Sequence, residues 1–359
     1  MKYLSLSSPV VNNDISGIAS STSRSLSILA DSVIGITGAN GFLASNIIYY
    51  ILKLSSIFNL NIRVIAFCRS YQSLLSRFSC SEFSTFSSYL QYIPYDSNYN
   101  FSDSPRVDYF IHAASNASPD LFANDPFGTC LSNTQGTINS LNFSVRSNCK
   151  NYLLFSTSGI YGINSPDSYP LTEQSYGSID SLDKKNIYLL SKKTAECLVA
   201  NASHLHSLNF NIIRPSIIYG PGLNLSDVRS FPYFLSSYLH DHDIILNSSG
   251  ESYRNYLYIS DFVVAVINLL TSPHNTAFNL ASSIDTRIID LAMKFSNLSS
   301  SKLKVILSQS NSLFDRVDFS RTSTSQSQLM DHFGWSESVS LDLGIQNSIN
   351  HYSFLMTHE

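Results

Sequence analysis

Tyr188-Leu189-Leu190-Ser191-Lys192 sets a phenol and an ammonium four residues apart, in a stretch that reads as a helix beginning near Leu182. That spacing puts both groups on one helical face. Ile187, Leu190, Thr194 and Leu198 then read as a separate, core-facing stripe. A tyrosine with its ordinary pKa near 10 is a poor base, and a neighbouring ammonium favours its phenolate. Such a pair can take a proton from an alcohol hydroxyl or return it. Upstream, Phe155-Ser156-Thr157-Ser158-Gly159-Ile160-Tyr161-Gly162 reads as a strand ending in hydroxyls that can hold a substrate oxygen toward Tyr188. Earlier still, an apolar run from Val33 to Ile36 breaks at Gly38 and Gly41. It continues into a helical pattern of Ile47, Ile48, Ile51, Leu52 and Leu54. Strand, glycine turn and helix bring backbone N–H groups and a helix N-terminus to a pyrophosphate. A Cβ at the turn would hold the phosphates off the backbone. The spacing is Gly-x-x-Gly-x-x-Ala, so Ala44 puts a methyl group where close helix–strand packing often requires a third glycine.

These groups need a scaffold, and the chain alternates strand and helix to supply one. Ile62–Cys68, Leu90–Tyr95, Val107–Ala113, Tyr152–Ser156 and Phe210–Ile213 read as further strands, with helices around Gly136–Arg146 and Lys184–Ala200. Near-continuous apolar strands in β-α alternation imply an α/β fold with a doubly wound parallel sheet covered on both faces. The ligand crevice of such a sheet lies at the strand C-termini. Residues 1–30, rich in Ser and Asn, read as an extension holding a short helix and a linker. Residues 31–214 read as the dinucleotide-binding domain with the catalytic groups. After Pro215 the Gly/Pro punctuation suggests a smaller α+β lobe over 215–359 that binds substrate, some segments of it returning to the first domain. The Ser-rich tract around 296–312 reads as a loop or edge.

Composition sets the outer bounds. Only 13% of the 359 residues are charged, against 43% hydrophobic, so much of the polar surface must be Ser, Asn and Tyr. A net charge of −4 with no basic block argues against a general nucleic-acid binder. No apolar run reaches the length of a membrane span and no leader pattern opens the chain, so a cytoplasmic protein is expected. Cys68, Cys80, Cys130, Cys149 and Cys197 show no paired spacing, so neither a disulfide framework nor a metal site is expected. His240 and His242 stand close together, on a stretch that reads as a solvated loop.

The motifs also occur in a telling order. The stretch from Thr37 to Ser45 is followed by Tyr109-Phe110-Ile111-His112-Ala113-Ala114-Ser115, Ser132-Asn133-Thr134-Gln135-Gly136-Thr137, the hydroxyl-tipped strand and the Tyr188–Lys192 helix. Arg214-Pro215-Ser216-Ile217-Ile218-Tyr219-Gly220-Pro221-Gly222 and Tyr253-Arg254-Asn255-Tyr256-Leu257-Tyr258-Ile259-Ser260-Asp261 complete the series. In these motifs the chain, over about 30–350, resembles the extended short-chain dehydrogenase/reductases, specifically the NAD-dependent epimerase/dehydratase group acting on nucleotide sugars. The resemblance implies a Rossmann-type sheet, NAD or NADP as cofactor and a nucleotide-sugar substrate. It implies Thr157 as the catalytic hydroxyl, with Ser158 a neighbour able to substitute and to touch substrate. Tyr188 becomes the acid/base, and Lys192 the group that lowers its pKa and holds the nicotinamide ribose. Gly38, Asn40, Gly41, Phe42 and Leu43 are implied at the pyrophosphate, and Arg69, Ser70 and Asp96 around the adenosine. Ala113, Ala114, Ser115, Ser156 and Pro215 are implied to line the cofactor, and Asn133 to support the site. Arg254 and Arg321 are implied to grip the nucleotide diphosphate, although the Asp and Lys that usually follow the second are absent. The family's usual homodimer pairs the Tyr–Lys helix with the helix before it.

Departures from the family pattern bear on the reaction. A 4,6-dehydratase needs an Asp–Glu pair after the catalytic hydroxyl, and decarboxylase relatives place a Glu two residues before the Tyr-Gly step. Ser158 and Gly159 stand there instead. Oxidation and re-reduction at one carbon needs only hydroxyl, Tyr and Lys, so an epimerase of a polysaccharide pathway is expected, with an NADPH-dependent ketosugar reductase next. A dehydratase or decarboxylase comes third. Where NAD-preferring members end the second strand in an acid, this chain has Arg69. It can pair with the 2′-phosphate of NADP or stack on the adenine of NAD. Ile217 replaces a polar residue near the sugar diphosphate. With Ala44 it leaves open a non-catalytic dinucleotide-binding protein.

Overall fold

Seven parallel strands form the central sheet of the computed structural model, which describes Leu4 and residues 8–78, 86–308 and 321–358. They are β1 (Val33–Thr37), β2 (Arg63–Cys68), β3 (Leu90–Pro94), β4 (Tyr109–His112), β5 (Asn151–Phe155), β6 (Phe210–Pro215) and β10 (Thr276–Leu280), ordered β10-β6-β5-β4-β1-β2-β3. All pair in parallel. The strand order reverses between β1 and β4, which opens a crevice at their C-terminal ends. Cys80 and the last part of the Ser-rich tract, 309–312, lie outside the described residues.

Side chains alternate across the sheet, as strand geometry requires. Ile34, Ile36, Ile111, Leu153 and Phe155 enter one apolar layer, and Phe67, Phe110, Tyr152 and Leu154 the other. The first layer is closed by α2 (Phe42–Phe58) and α8 (Ile259–Thr271), the second by α5 (Pro126–Ser147) and α6 (Ile187–His206). The second layer is aromatic. Phe101 and Phe143 stack at 4.9 Å, and Phe110 on Tyr152 at 5.8 Å.

Two expectations are corrected here. Residues 9–29 form one long helix, α1 (Pro9–Leu29), in place of a short helix and linker. It packs most extensively on α8, with further contacts to α2 and to α11 (Leu341–His358). Serine-rich sequence has modest helix propensity, so burial of Val11, Ile15, Ile18, Leu26 and Leu29 is what holds it. The buried stripe of α6 is Leu189, Lys192, Ala195 and Val199. Thr194 is exposed, and Ile187, Leu190 and Leu198 are half-buried. The face carrying Tyr188 and Lys192 is itself turned inward, which rotates the expected stripe away from the core.

Beyond Pro215 lie β7 (Ile217–Tyr219), α7 (Ser230–Leu239), β8 (Ile244–Leu246) and β9 (Tyr253–Tyr258), the last leading into α8. β10 then returns as an edge strand of the main sheet. β11 (Asp285–Arg287) pairs antiparallel with β9, which runs parallel to β7. A two-stranded pair of β8 with β12 (Val305–Leu307) sits beside α9 (Ile288–Leu298). His240 and His242 are exposed on the loop after α7.

Candidate active site

The glycine turn is built by contact with β4. Gly38 has φ +67°, and a Cβ there would lie 2.8 Å from the Ala114 backbone, so only glycine fits. The Thr37 hydroxyl accepts from the N–H groups of Ala113 (3.1 Å) and Ala114 (3.2 Å) and faces His112 Nδ1 at 2.8 Å. Having two donors already, it gives its own proton to Nδ1, which leaves the His112 hydrogen on Nε2. Gly41 begins α2 without a side-chain cap, which leaves the first-turn N–H groups around Phe42 and Leu43 turned to the crevice. Ala44 is buried in the core beneath. An uncapped helix start against a glycine turn fits an anionic pyrophosphate.

The rim around this turn collects the adenosine candidates. Asn40 Nδ2 donates to Ser73 Oγ at 2.9 Å, and the Ser70 hydroxyl caps α3 (Tyr71–Leu75) by accepting from Ser73 N–H at 3.2 Å. Arg69 is exposed beside them. Asp96 is exposed two residues beyond β3 and accepts from Asn98 N–H at 2.8 Å. Because β2 and β3 run in register, Cys68 opposite Pro94, Arg69 and Asp96 share one end of the sheet.

Thr157 and Tyr188 do meet. The Thr157 hydroxyl accepts from Gly159 N–H at 3.2 Å, opening the 3-10 turn Ser158–Tyr161, and lies near enough to the Tyr188 phenol to act on its pKa. Ser158 sits half-buried on that turn. The Ser156 hydroxyl, at the end of β5, is buried with no partner among the described residues, as is that of Ser216 just past Pro215 at the end of β6. Unpaired buried hydroxyls at the ligand end of a parallel sheet suit a bound polar group. Asn133, 1% exposed, accepts from Ser115 Oγ (2.8 Å) and donates to Ser191 Oγ (2.9 Å), tying the end of β4 to α6.

The electrostatics differ from a simple Tyr–Lys pair. Burial pushes the Tyr188 phenol up to about 12, against the lowering effects of Thr157 and of Arg229. Lys192 donates to the Phe155 carbonyl at 2.7 Å, and its burial pushes it down to about 7. The influences on the Tyr188 phenol in this structure are burial, Thr157 and Arg229, and Lys192 is not among them. Phe122, on α4 (Pro119–Asn124), stacks on the Tyr188 ring at 5.4 Å and 11°. Phe122 and Arg229 carry no local sequence signal and become visible only when distant segments meet.

The two C-terminal arginines come together elsewhere on the molecule. Arg321 pairs with Tyr253 in a β-bridge, and both Arg254 and Arg321 act on the Tyr169 phenol. Arg321 is engaged: its Nε donates to Asp285 (2.9 Å) and Ser323 (2.8 Å), and its guanidinium lies over Tyr169 and Tyr253. Asn255, Asp285, Arg321 and Thr324 help line an adjoining cavity of about 430 Å³. Ile217 is half-buried on β7 opposite Tyr256. No cluster of three or more metal-ligating side chains occurs among the described residues.

A doubly wound parallel sheet with a glycine turn after β1 defines a Rossmann-type α/β fold, with Thr157, Tyr188 and Lys192 near the ends of β5 and α6. Residues 34–281 match the NAD dependent epimerase/dehydratase family, and the chain belongs to that family. It is 29% identical over 187 residues to UDP-glucuronic acid decarboxylase 1 of Arabidopsis thaliana, covering 52% of this chain and 42% of that protein. With UDP-glucuronic acid decarboxylase 1 of Xenopus tropicalis the identity is 26% over 255 residues, 71% and 59% of the two chains. The chain thus spans about half the length of the curated relatives it matches. Among solved structures, UDP-glucose 4-epimerase of Thermotoga maritima shares the fold at TM-score 0.76 and 18% identity, over 90% of this chain and 99% of that one. dTDP-glucose 4,6-dehydratase of Streptomyces venezuelae, solved with NAD, does so at TM-score 0.73 and 18% identity, over 90% and 97%.

Proposed function

We propose that this protein is an NAD(P)-dependent nucleotide-sugar 4-epimerase. The observation that carries this reading is the combination of Thr157 beside the Tyr188 phenol with Ser158 and Gly159 where dehydratases and decarboxylases need carboxylates. The influences on the Tyr188 phenol are burial, Thr157 and Arg229, with no carboxylate among them. Thr157 holds the sugar C4 hydroxyl, and Tyr188 takes its proton on oxidation and returns it on reduction. Lys192 and Ser156 orient the ribose and nicotinamide side of the cofactor, which when bound accepts and returns a hydride. The glycine turn from Gly38 to Leu43 holds the pyrophosphate, and Ala113, Ala114, Ser115 and Pro215 shape the cofactor's wall. Arg254 and Arg321, beside the cavity at Asp285, grip the nucleotide diphosphate from the C-terminal lobe.

The test is product analysis after incubation with UDP- and dTDP-hexoses and with UDP-glucuronic acid. A C4 epimer is expected, and a 4-keto-6-deoxy sugar or a pentose with release of CO2 would sink the reading. Tyr188→Phe should lower turnover by roughly 10²–10⁴-fold with dinucleotide affinity retained, whereas a non-catalytic binding protein would be indifferent. A second reading, an NADPH-dependent ketosugar reductase, is favoured by Arg69 at the end of β2. Its mark is NADP that exchanges freely, where an epimerase retains its dinucleotide. A cytoplasmic homodimer serving polysaccharide synthesis completes the proposal. No described helix is long and apolar enough to cross a membrane.

A further inference from the structure

Lys192 is enclosed, 2% exposed, and the Phe155 carbonyl is its hydrogen-bond acceptor. A carbonyl dipole alone holds a desolvated ammonium poorly. The influence that opposes its burial is Glu196, four residues further along α6 and so one turn away on the same face. Glu196 is not free to act alone. Arg214 on β6 grips it with Nε to Oε1 at 3.0 Å and Nη2 to Oε2 at 2.6 Å, each side chain 12% exposed. Arg214 has anchors of its own. It donates through Nη1 to the Tyr161 hydroxyl (2.9 Å) and the Glu173 carbonyl (3.2 Å), while Tyr161 donates to Asn279 Oδ1 at 2.6 Å. Glu173 in turn accepts from Asn279 N–H at 2.7 Å.

We propose that Glu196 is a positioning residue that keeps the Lys192 ammonium charged, and that Arg214 sets how much of the Glu196 charge reaches it. This rests on the reading of Lys192 as part of the catalytic group. Among the other titratable neighbours, His112, Tyr188 and Tyr161 are uncharged near pH 7. His112 on β4 is neutral, pushed down to about 3 by burial and by the charge of Lys192. Tyr188 and Tyr161 are both pushed up to about 12, and burial also raises the Glu173 carboxyl. An anion on the lysine's own helix face and a cation neutralising that anion therefore set its protonation.

The two partners are predicted to act with opposite signs, which a merely structural ion pair would not do. The measurement is a ¹³C NMR titration of lysine-labelled full-length protein, the Lys192 signal being the one lost in Lys192→Met. Glu196→Gln should move its midpoint down by about one pH unit and Arg214→Met should move it up. The alkaline limb of kcat should follow in the same directions. Midpoints that stay fixed, or that both move down, overturn the proposal. If Glu196→Gln fails to fold, Arg214→Met is compared with the Glu196→Gln/Arg214→Met double variant, which leaves no unpaired buried cation. The double variant must titrate lower, and equal midpoints refute the idea. The NMR midpoint needs no turnover, so failure of the catalytic reading shows separately, as activity retained in Tyr188→Phe.

Discussion

Tyr188 is the residue on which the proposed chemistry turns, and its surroundings set a demanding condition. Burial raises the phenol to about 12, while Thr157 and Arg229 pull the other way. The stacked ring of Phe122 contributes to that burial. Phe122→Ala should admit water and bring the phenol down toward its ordinary value near 10. Tyrosinate absorbance titrated against the Tyr188→Phe protein reads the change. An unmoved midpoint would mean that Phe122 does not shield the phenol. The type and spacing of Tyr188 and Lys192 were plain in the sequence. That the lysine faces a backbone carbonyl was not, because Phe155 comes from a strand far away in the chain.

Among the elements, the glycine turn and α1 answer to different causes. The turn has a local sequence signal but a long-range fit: Gly38 at positive φ lies against Ala114, just past β4, which leaves no room for a side chain. Gly38→Ala should therefore weaken dinucleotide binding at least about tenfold, since both strain and a displaced turn oppose it. Fluorescence titration measures this, and an affinity equal to wild type would show that the turn does not hold the pyrophosphate. α1 is held by tertiary contact, including Asp14, whose Oδ2 accepts from the hydroxyls of Tyr50 (3.1 Å) and Tyr258 (3.2 Å). Burial raises Asp14 to about 7, above its ordinary 3.8, so the folded chain keeps a proton that the unfolded chain releases between those values. Stability from this group is complete below about pH 4 and is lost as pH rises to 7, by up to about 4 kcal/mol. Urea unfolding at pH 5 and pH 8 should show this loss in the wild type but a smaller one in Asp14→Asn. Equal slopes in both proteins would show that Asp14 titrates normally.

For the whole molecule, the sheet order brings the glycine turn, Thr157, Tyr188 and Lys192 to the C-terminal rim of the sheet. α5 and α6 pack closely on each other, and Phe127 (82% exposed), Leu131 and Leu205 leave apolar surface on them. If those helices pair between two copies, sedimentation should give twice the 39.9 kDa chain mass. Phe127→Asp with Leu131→Asp should return it to one copy. A monomeric wild-type protein would remove the proposal.

Strands β1 to β6 and helices α2, α5 and α6 could be read from residue pattern because their signals are local. Apolar runs of strand length, a glycine break and an i, i+4 pair depend on near neighbours alone. The β1–α2 turn, the strand ending at Phe155 and the family membership follow from such runs. Only long-range packing could fix the rest. α1 is helical because α8 and α2 cover its apolar side, and α6 is rotated so that Tyr188 and Lys192 face inward. Arg321 is bound to Asp285, a residue from another strand. Glu196 and Arg214 meet because β6 runs beneath α6, and no spacing along the chain encodes that contact.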